Sequence, residues 1–195
     1  LARAGKKVLV LERREVVGGA CVTEEIFPGF KVSTAAYVNS LLRPEIIRDF
    51  GLESRGYELL RRDPSSFSPL ADGRYQMFWA DAKKTHAEIA KFSKRDADRY
   101  ADYESELERV AALMEPILWS PAPDPLSRSL GDLWNLAKMA FRWRPEIDTI
   151  LRLFSMSAAD YIERWFESEP LKARLATDGV IGAWAGPRTP GTAYV

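Results

Sequence analysis

The sequence predicts an α/β fold: part of a βαβ unit, then a β-hairpin, then a mostly helical insertion. Three observations predict it. A short continuous apolar strand, Lys7 to Leu11, has the character of a strand buried in a parallel sheet and follows a helix end marked by Gly5. Two runs between Tyr57 and Trp79, "YELLRRD" and "GRYQMFWAD", flank a proline-rich segment and the turn pair Asp72-Gly73. After Asp81, apolar residues recur at three- and four-residue spacing behind a series of capping residues.

The elements follow in order. Leu1 to Ala4 close a helix, and the strand Lys7–Leu11 follows it, so the chain opens inside a βαβ unit. In "RPEIIRDFGL", Pro44 suits the first helical position, Gly51 stops the helix after Phe50, and Ile46, Ile47 and Phe50 form its apolar face. The hairpin comes next. Asp81 caps a helix running to about Phe92, and Ser93 with Asp96 makes a capping box for a longer one. On that longer helix Tyr100, Tyr103, Leu107, Val110, Met114 and Ile117 form a buried face. The stretch Ser120 to Pro125 is a linker, because closely spaced prolines cannot continue a helix. Two more capping boxes, Ser129 with Asp132 and Ser157 with Asp160, start later helices, and Pro145 and Pro170 open their own.

Composition narrows the function classes. Of 195 residues, 46% are hydrophobic, enough for a large core. Acidic and basic residues balance at 28 each, so the chain lacks the positive field with which nucleic-acid binders collect phosphates. The single cysteine, Cys21, rules out an internal disulfide and multi-cysteine metal sites, and it fits a reducing, cytoplasmic compartment. No apolar run approaches the roughly 20 residues of a spanning helix. The start carries neither methionine nor a signal-peptide pattern and is read as the continuation of a longer chain.

One constellation carries chemistry. In "VLVLERREVVGGACVTEE", Glu12 directly follows the apolar run and Gly18-Gly19 lie six and seven residues beyond it. An acidic residue at the end of the second strand of a dinucleotide-binding unit accepts hydrogen bonds from ribose hydroxyls. The alternative for Glu12 is a solvated glutamate opening a loop. Two glycines let backbone approach a ligand closely, or else simply make a tight turn.

With its continuation "PGFKVSTAAYVNSLLRPEIIRDFGL", this stretch resembles the FAD-dependent oxidoreductases of the phytoene desaturase and amine oxidase superfamily. It is nearest the phytoene dehydrogenase-related subgroup, which includes the pyridine nucleotide-disulphide oxidoreductase domain-containing proteins. The resemblance is strongest from Lys7 to Asp102 and weak after Pro121. It implies a partial Rossmann-like FAD-binding domain over 1–56, a substrate domain of hairpin and helices over 57–186, and a truncated continuation over 187–195. It further implies that Glu12 binds the adenosine ribose, that Arg14 lies near the adenosine and phosphates, and that Gly18 and Gly19 form the close-approach pair. Ala20 stands where many amine oxidases carry an arginine on the cofactor, and Ser33, Thr34, Ala35 and Ala36 fall where relatives pass near the flavin ring. No G-x-G-x-x-G turn precedes Glu12, so the chain is expected to be the middle third of such an enzyme, to hold FAD weakly alone and to be inactive alone.

The activity implied is dehydrogenation or desaturation of an apolar, polyene or lipid-like small molecule by hydride transfer to flavin. Two alternatives stand beside it: a flavin-dependent isomerase or saturase of a polyene, and a non-catalytic binding or assembly protein. No residue reads as an obligatory acid or base, and no metal site is expected. Cys21 is read as a small buried residue in preference to a flavin attachment point or redox thiol, and the single histidine, His86, as a surface residue in preference to a base or metal ligand. Phe67, Tyr75, Phe78 and Trp79 are candidates to line a substrate cavity, or else sheet core. The segment 133–144, "LWNLAKMAFRWR", has two readings: the preferred one is a core helix with a basic outer side, the other an interfacial helix in peripheral contact with a membrane.

Overall fold

Capping and turn chemistry decide where most elements begin and end. The computed structural model describes residues 1–36, 38–39, 41–121, 124, 126 and 129–194. It is mixed α/β, with helices and short antiparallel hairpins, and the chain divides into two compact units, Leu1–Arg61 and Arg62–Val195.

In the first unit a 3-10 turn, Ala2–Ala4, ends on left-handed Gly5. The next segment corrects the sequence reading. Lys7 to Leu11 has no regular secondary structure and pairs with no described strand, and Leu9, Val10 and Leu11 are exposed. A parallel strand exists only through hydrogen bonds to neighbours on either side, and no described residue of this chain supplies them. The unit's sheet is instead an unanticipated antiparallel hairpin of β1 (Thr23–Phe27) and β2 (Phe30–Ser33). Its signal is Pro28-Gly29 between two phenylalanines: proline fixes one φ, and Gly29 takes φ 81°, closed to most side chains. Helix α1 (Pro44–Phe50) forms as its sequence predicts and ends in a Schellman arrangement. The Gly51 N–H donates to Arg48 O and the Leu52 N–H to Ile47 O.

In the second unit β3 (Ser66–Pro69) pairs antiparallel with β4 (Tyr75–Phe78). The turn is the predicted Asp72-Gly73, but "YELLRRD" is not the partner strand. Gly73 N–H bonds Leu70 O and Leu70 N–H bonds Arg74 O, which closes a tight loop. Such a loop forces the residues flanking it to pair, so 66–69 takes the place expected for 57–63.

The helices are α2 (Ala82–Ala90), α3 (Lys94–Leu118), α4 (Leu130–Trp143), α5 (Ile147–Ser155), α6 (Ala158–Trp165) and α7 (Glu169–Asp178). Asp81 accepts from the Lys83 and Lys84 N–H groups, Ser93 from that of Asp96, and Ser157 from that of Asp160, as their positions predict. Half of the linker Ser120–Pro125 lies outside the described residues. Asp96 departs from a simple capping box. Fully buried, its carboxylate accepts from the backbone N–H groups of Glu167 and Ser168, fastening the start of α3 to the start of α7.

Pro116 shows how two helices are joined. Having no N–H, it leaves the carbonyl of Ala112 without its helical donor, and Arg142 of α4 donates to that oxygen at 3.2 Å. The core gathers Ile89 of α2, Tyr103 and Val110 of α3, Leu153 of α5, Ile162 of α6 and Leu171 of α7. Residues 187–194 are built into this unit: Thr192 Oγ1 accepts from Ala158 N–H at 2.9 Å, and Gly191 N–H donates to Met156 O. A side chain at Gly179 would lie 2.6 Å from Ala158 Cβ, so glycine is required there. Helix α4 corrects the preferred reading of 133–144, because none of its residues is buried. Its inward side and the end of α3 line a common cavity of about 580 Å³, and Leu130, Trp134 and Phe141 face outward.

Candidate functional site

In the first unit the candidate cofactor residues sit on turns hung from the β1–β2 hairpin. Glu12 Oε1 accepts from the Arg14 N–H at 2.9 Å, and this short turn aims the Arg14 guanidinium at Glu24 of β1, with which it forms an ion pair. Gly18 (φ 132°) and Gly19 (φ 55°) both hold positive φ and lead into a 3-10 turn, Gly19–Cys21. A Cβ on Gly18 would meet Val22 Cγ2 at 3.0 Å, whereas a Cβ on Gly19 would meet nothing. Gly18 is therefore glycine for conformation and packing. Gly19 faces open space on the side where a ligand could approach.

The hairpin register brings the second candidate segment to this place. Thr23 pairs with Ser33, so the glycine turn running into β1 and the Ser33–Ala36 segment leaving β2 emerge side by side. Ser33 Oγ accepts from the Ala36 N–H at 3.1 Å, folding Thr34 and Ala35 into a tight bend. Glu12, Arg14, Gly18, Gly19, Ala20, Thr34, Ala35 and Ala36 are all exposed and Ser33 partly so. The set places the Glu12 carboxylate, an Arg14 guanidinium paired with Glu24, and backbone free of side chains at this end of the hairpin. Cys21 corrects its reading as a buried residue: it is exposed on the 3-10 turn, while its neighbour Val22 is buried.

The second unit contains a cavity of about 510 Å³ under the hairpin exit. Phe78 and Trp79 line it, with Lys83 and His86 of α2, Tyr100 and Glu104 of α3, and Arg174 of α7. Phe67 and Tyr75 do not: they lie on the other hairpin face, with ring centroids 5.6 Å apart. His86 is an exposed residue bonded to Asp98 at 2.9 Å. Among the described residues no cluster of His, Cys, Asp or Glu is arranged to hold a metal.

Sequence reasoning did not find Glu104 or Arg174. Glu104 follows Ala97 and Ala101 at helical spacing, a signal too common to point at a cavity, and Arg174 arrives from 70 residues further along the chain. A larger groove of about 1170 Å³ runs along α3 past Leu107 and Met114. Tyr161 beside it donates its hydroxyl to Glu106. Burial, reinforced by that carboxylate, pushes the Tyr161 phenol well above its ordinary value. Burial also raises Tyr100, next to Glu104. Both phenols are therefore neutral donors at physiological pH and not bases.

No family model matches the chain, and no solved structure matches it. Curated relatives do. Pyridine nucleotide-disulfide oxidoreductase domain-containing protein 2 is 37% identical in Rattus norvegicus and 38% identical in Mus musculus, over all of this chain. The chain spans 36% of the length of each. A limonene dehydrogenase subunit of Castellaniella defragrans is 38% identical over 112 residues, 57% of this chain and 20% of that protein. All three relatives carry oxidoreductase or dehydrogenase names.

Proposed function

We propose that this protein acts as an FAD-dependent oxidoreductase that dehydrogenates or desaturates an apolar, polyene or lipid-like molecule. The observation that carries this reading is the convergence of Glu12, Arg14, the Gly18-Gly19 turn and the Ser33–Ala36 bend on one end of the β1–β2 hairpin. Glu12 accepts the ribose hydroxyls, Arg14 offsets phosphate charge, and Gly19 leaves room for the ligand against the backbone. Flavin, when bound, supplies the hydride acceptor, so the chain need contribute no acid or base of its own. The relative named for limonene, a hydrocarbon, supports an apolar substrate class.

The test is the flavin content of the purified full-length protein, read from its visible absorbance, beside Glu12→Ala and Glu12→Ala with Gly19→Val. The expected result is a yellow protein that loses flavin at least tenfold in the double variant with its melting transition kept. Anaerobic bleaching by limonene or a polyene would then establish the substrate class. Bleaching absent but isomerised product present would assign the isomerase reading instead. A folded protein that binds no added FAD would overturn the proposal in favour of a binding or assembly role.

A further inference from the structure

Helix α4 presents an apolar stripe for which the described residues of the second unit provide no cover. Residues Leu130, Trp134, Ala137 and Phe141 recur at three- and four-residue spacing on one side, and the three large ones are 85%, 63% and 76% exposed. The opposite side, with Asp132, Asn135, Met139 and Trp143, faces α3 and is pinned there by the bond from Arg142 to Ala112 O. The Arg142 bond thus ties this side, and not the stripe, toward α3. At the neighbouring turn of the α3–α4 pair, Leu118, Trp119 and Leu126 are exposed as well.

Charge distinguishes this stripe from the other exposed apolar residues. From Leu133 to Pro145 the chain has no acidic residue, while Lys138 and Arg144 stand beside the stripe, in a protein whose acidic and basic residues balance overall at 28 each. The Lys138 ammonium lies over the indole it flanks, 5.3 Å from the Trp134 ring centroid. Indole and phenyl rings on one side with cations beside them suit a surface with an apolar interior and anionic headgroups. We propose that α4 docks the protein on an anionic lipid bilayer, lying in the interface with Leu130, Trp134 and Phe141 immersed and Lys138 and Arg144 among the headgroups. Among the described residues no helix is long and apolar enough to cross a membrane, and this docking is peripheral. It stands independently of the flavin proposal.

The experiment is flotation of the full-length protein with phosphatidylcholine vesicles, with and without phosphatidylglycerol, at low and high salt. Binding is expected to be at least tenfold tighter to the anionic vesicles and to weaken with salt. Lys138→Gln with Arg144→Gln should weaken it by roughly twentyfold. Trp134→Ser with Phe141→Ser should abolish it with an unchanged circular dichroism spectrum, since both side chains are exposed. Flotation with neither vesicle, or flotation that survives the Trp134/Phe141 change, overturns the proposal. So does a change in oligomeric state in that variant without any lipid binding, which would assign the stripe to a protein partner.

Discussion

The two units of this chain are stabilised by different things. Among the described residues of the first unit, Val22 alone is a buried apolar residue, while Leu9, Val10, Leu11, Phe27 and Phe30 are open. The second unit buries Ile89 and Leu171 completely, in a core that also draws buried residues from helices α3, α5 and α6. Hydrophobic burial therefore organises residues 62–195, whereas local turn chemistry organises 1–61: the Pro28-Gly29 turn, the Gly51 cap and the Glu12–Arg14 turn. A region shaped by turns leaves its polar groups and backbone facing outward, where a ligand can use them. A region shaped by burial does not.

Paired core substitutions should separate the two most widely. Leu171→Ala empties a fully enclosed site and is expected to destabilise the second unit by about 3–4 kcal/mol. Val10→Ala in the first unit should change stability by less than about 0.5 kcal/mol. Denaturant unfolding measures both, and equal effects would break the distinction. Next in size is Asp96→Ala, expected to cost about 2–3 kcal/mol by stripping the buried N–H groups of Glu167 and Ser168 of their acceptor. Its effect should appear as loosening of the α3–α7 junction in hydrogen exchange at those two amides.

Alkaline pH gives a third contrast. Burial, aided by the carboxylates of Asp178, Glu104 and Glu106, pushes the Tyr103 phenol up to about 12 from an ordinary 10.0. A raised folded-state value means that its contribution is complete below pH 10 and is lost as pH rises through 12. Between these limits the second unit should lose about 1–2 kcal/mol that Tyr103→Phe retains, measured as the difference between the two melting profiles. A wild type and variant that fall in parallel would show that this phenol does not govern alkaline unfolding.

How much of this is legible in the sequence follows the same division. The helices of the second unit announce themselves because Asp81, Ser93, Ser157 and Pro170 act within one turn of where they stand. The first strand of the 66–78 hairpin is hard to place because Leu59 and Leu60 resemble strand residues, while Ser66 and Ser68, which pair through the turn, do not. Lys7–Leu11 has strand character but lacks neighbours, and pairing is not a property of one segment. At the candidate cofactor site, Glu12 and the glycines are visible as types at a spacing. Their meeting with Ser33–Ala36 depends on the Thr23–Ser33 register, and the hairpin's one local signal, Pro28-Gly29, marks a turn without fixing which residues pair. The buried amide of Gln76, whose side-chain atoms bond no described residue, carries no sequence signal either.

The smallest expected effect on stability tests the comparison most closely. Arg14 and Glu24 form an ion pair in which both side chains remain more than a third exposed, at 44% and 37%. Solvent screens such a pair, so Arg14→Gln should alter stability by less than about 0.5 kcal/mol. Under the flavin reading the same change removes the cation beside the Glu12 turn, and flavin retention should fall several-fold, with weaker salt dependence than in the wild type. Stability unchanged and binding reduced is the pattern of a residue placed for a ligand. If Arg14→Gln instead unfolds the first unit while leaving flavin affinity intact in the folded fraction, the ion pair is structural. The first unit would then depend on side-chain contacts more than its open surface indicates.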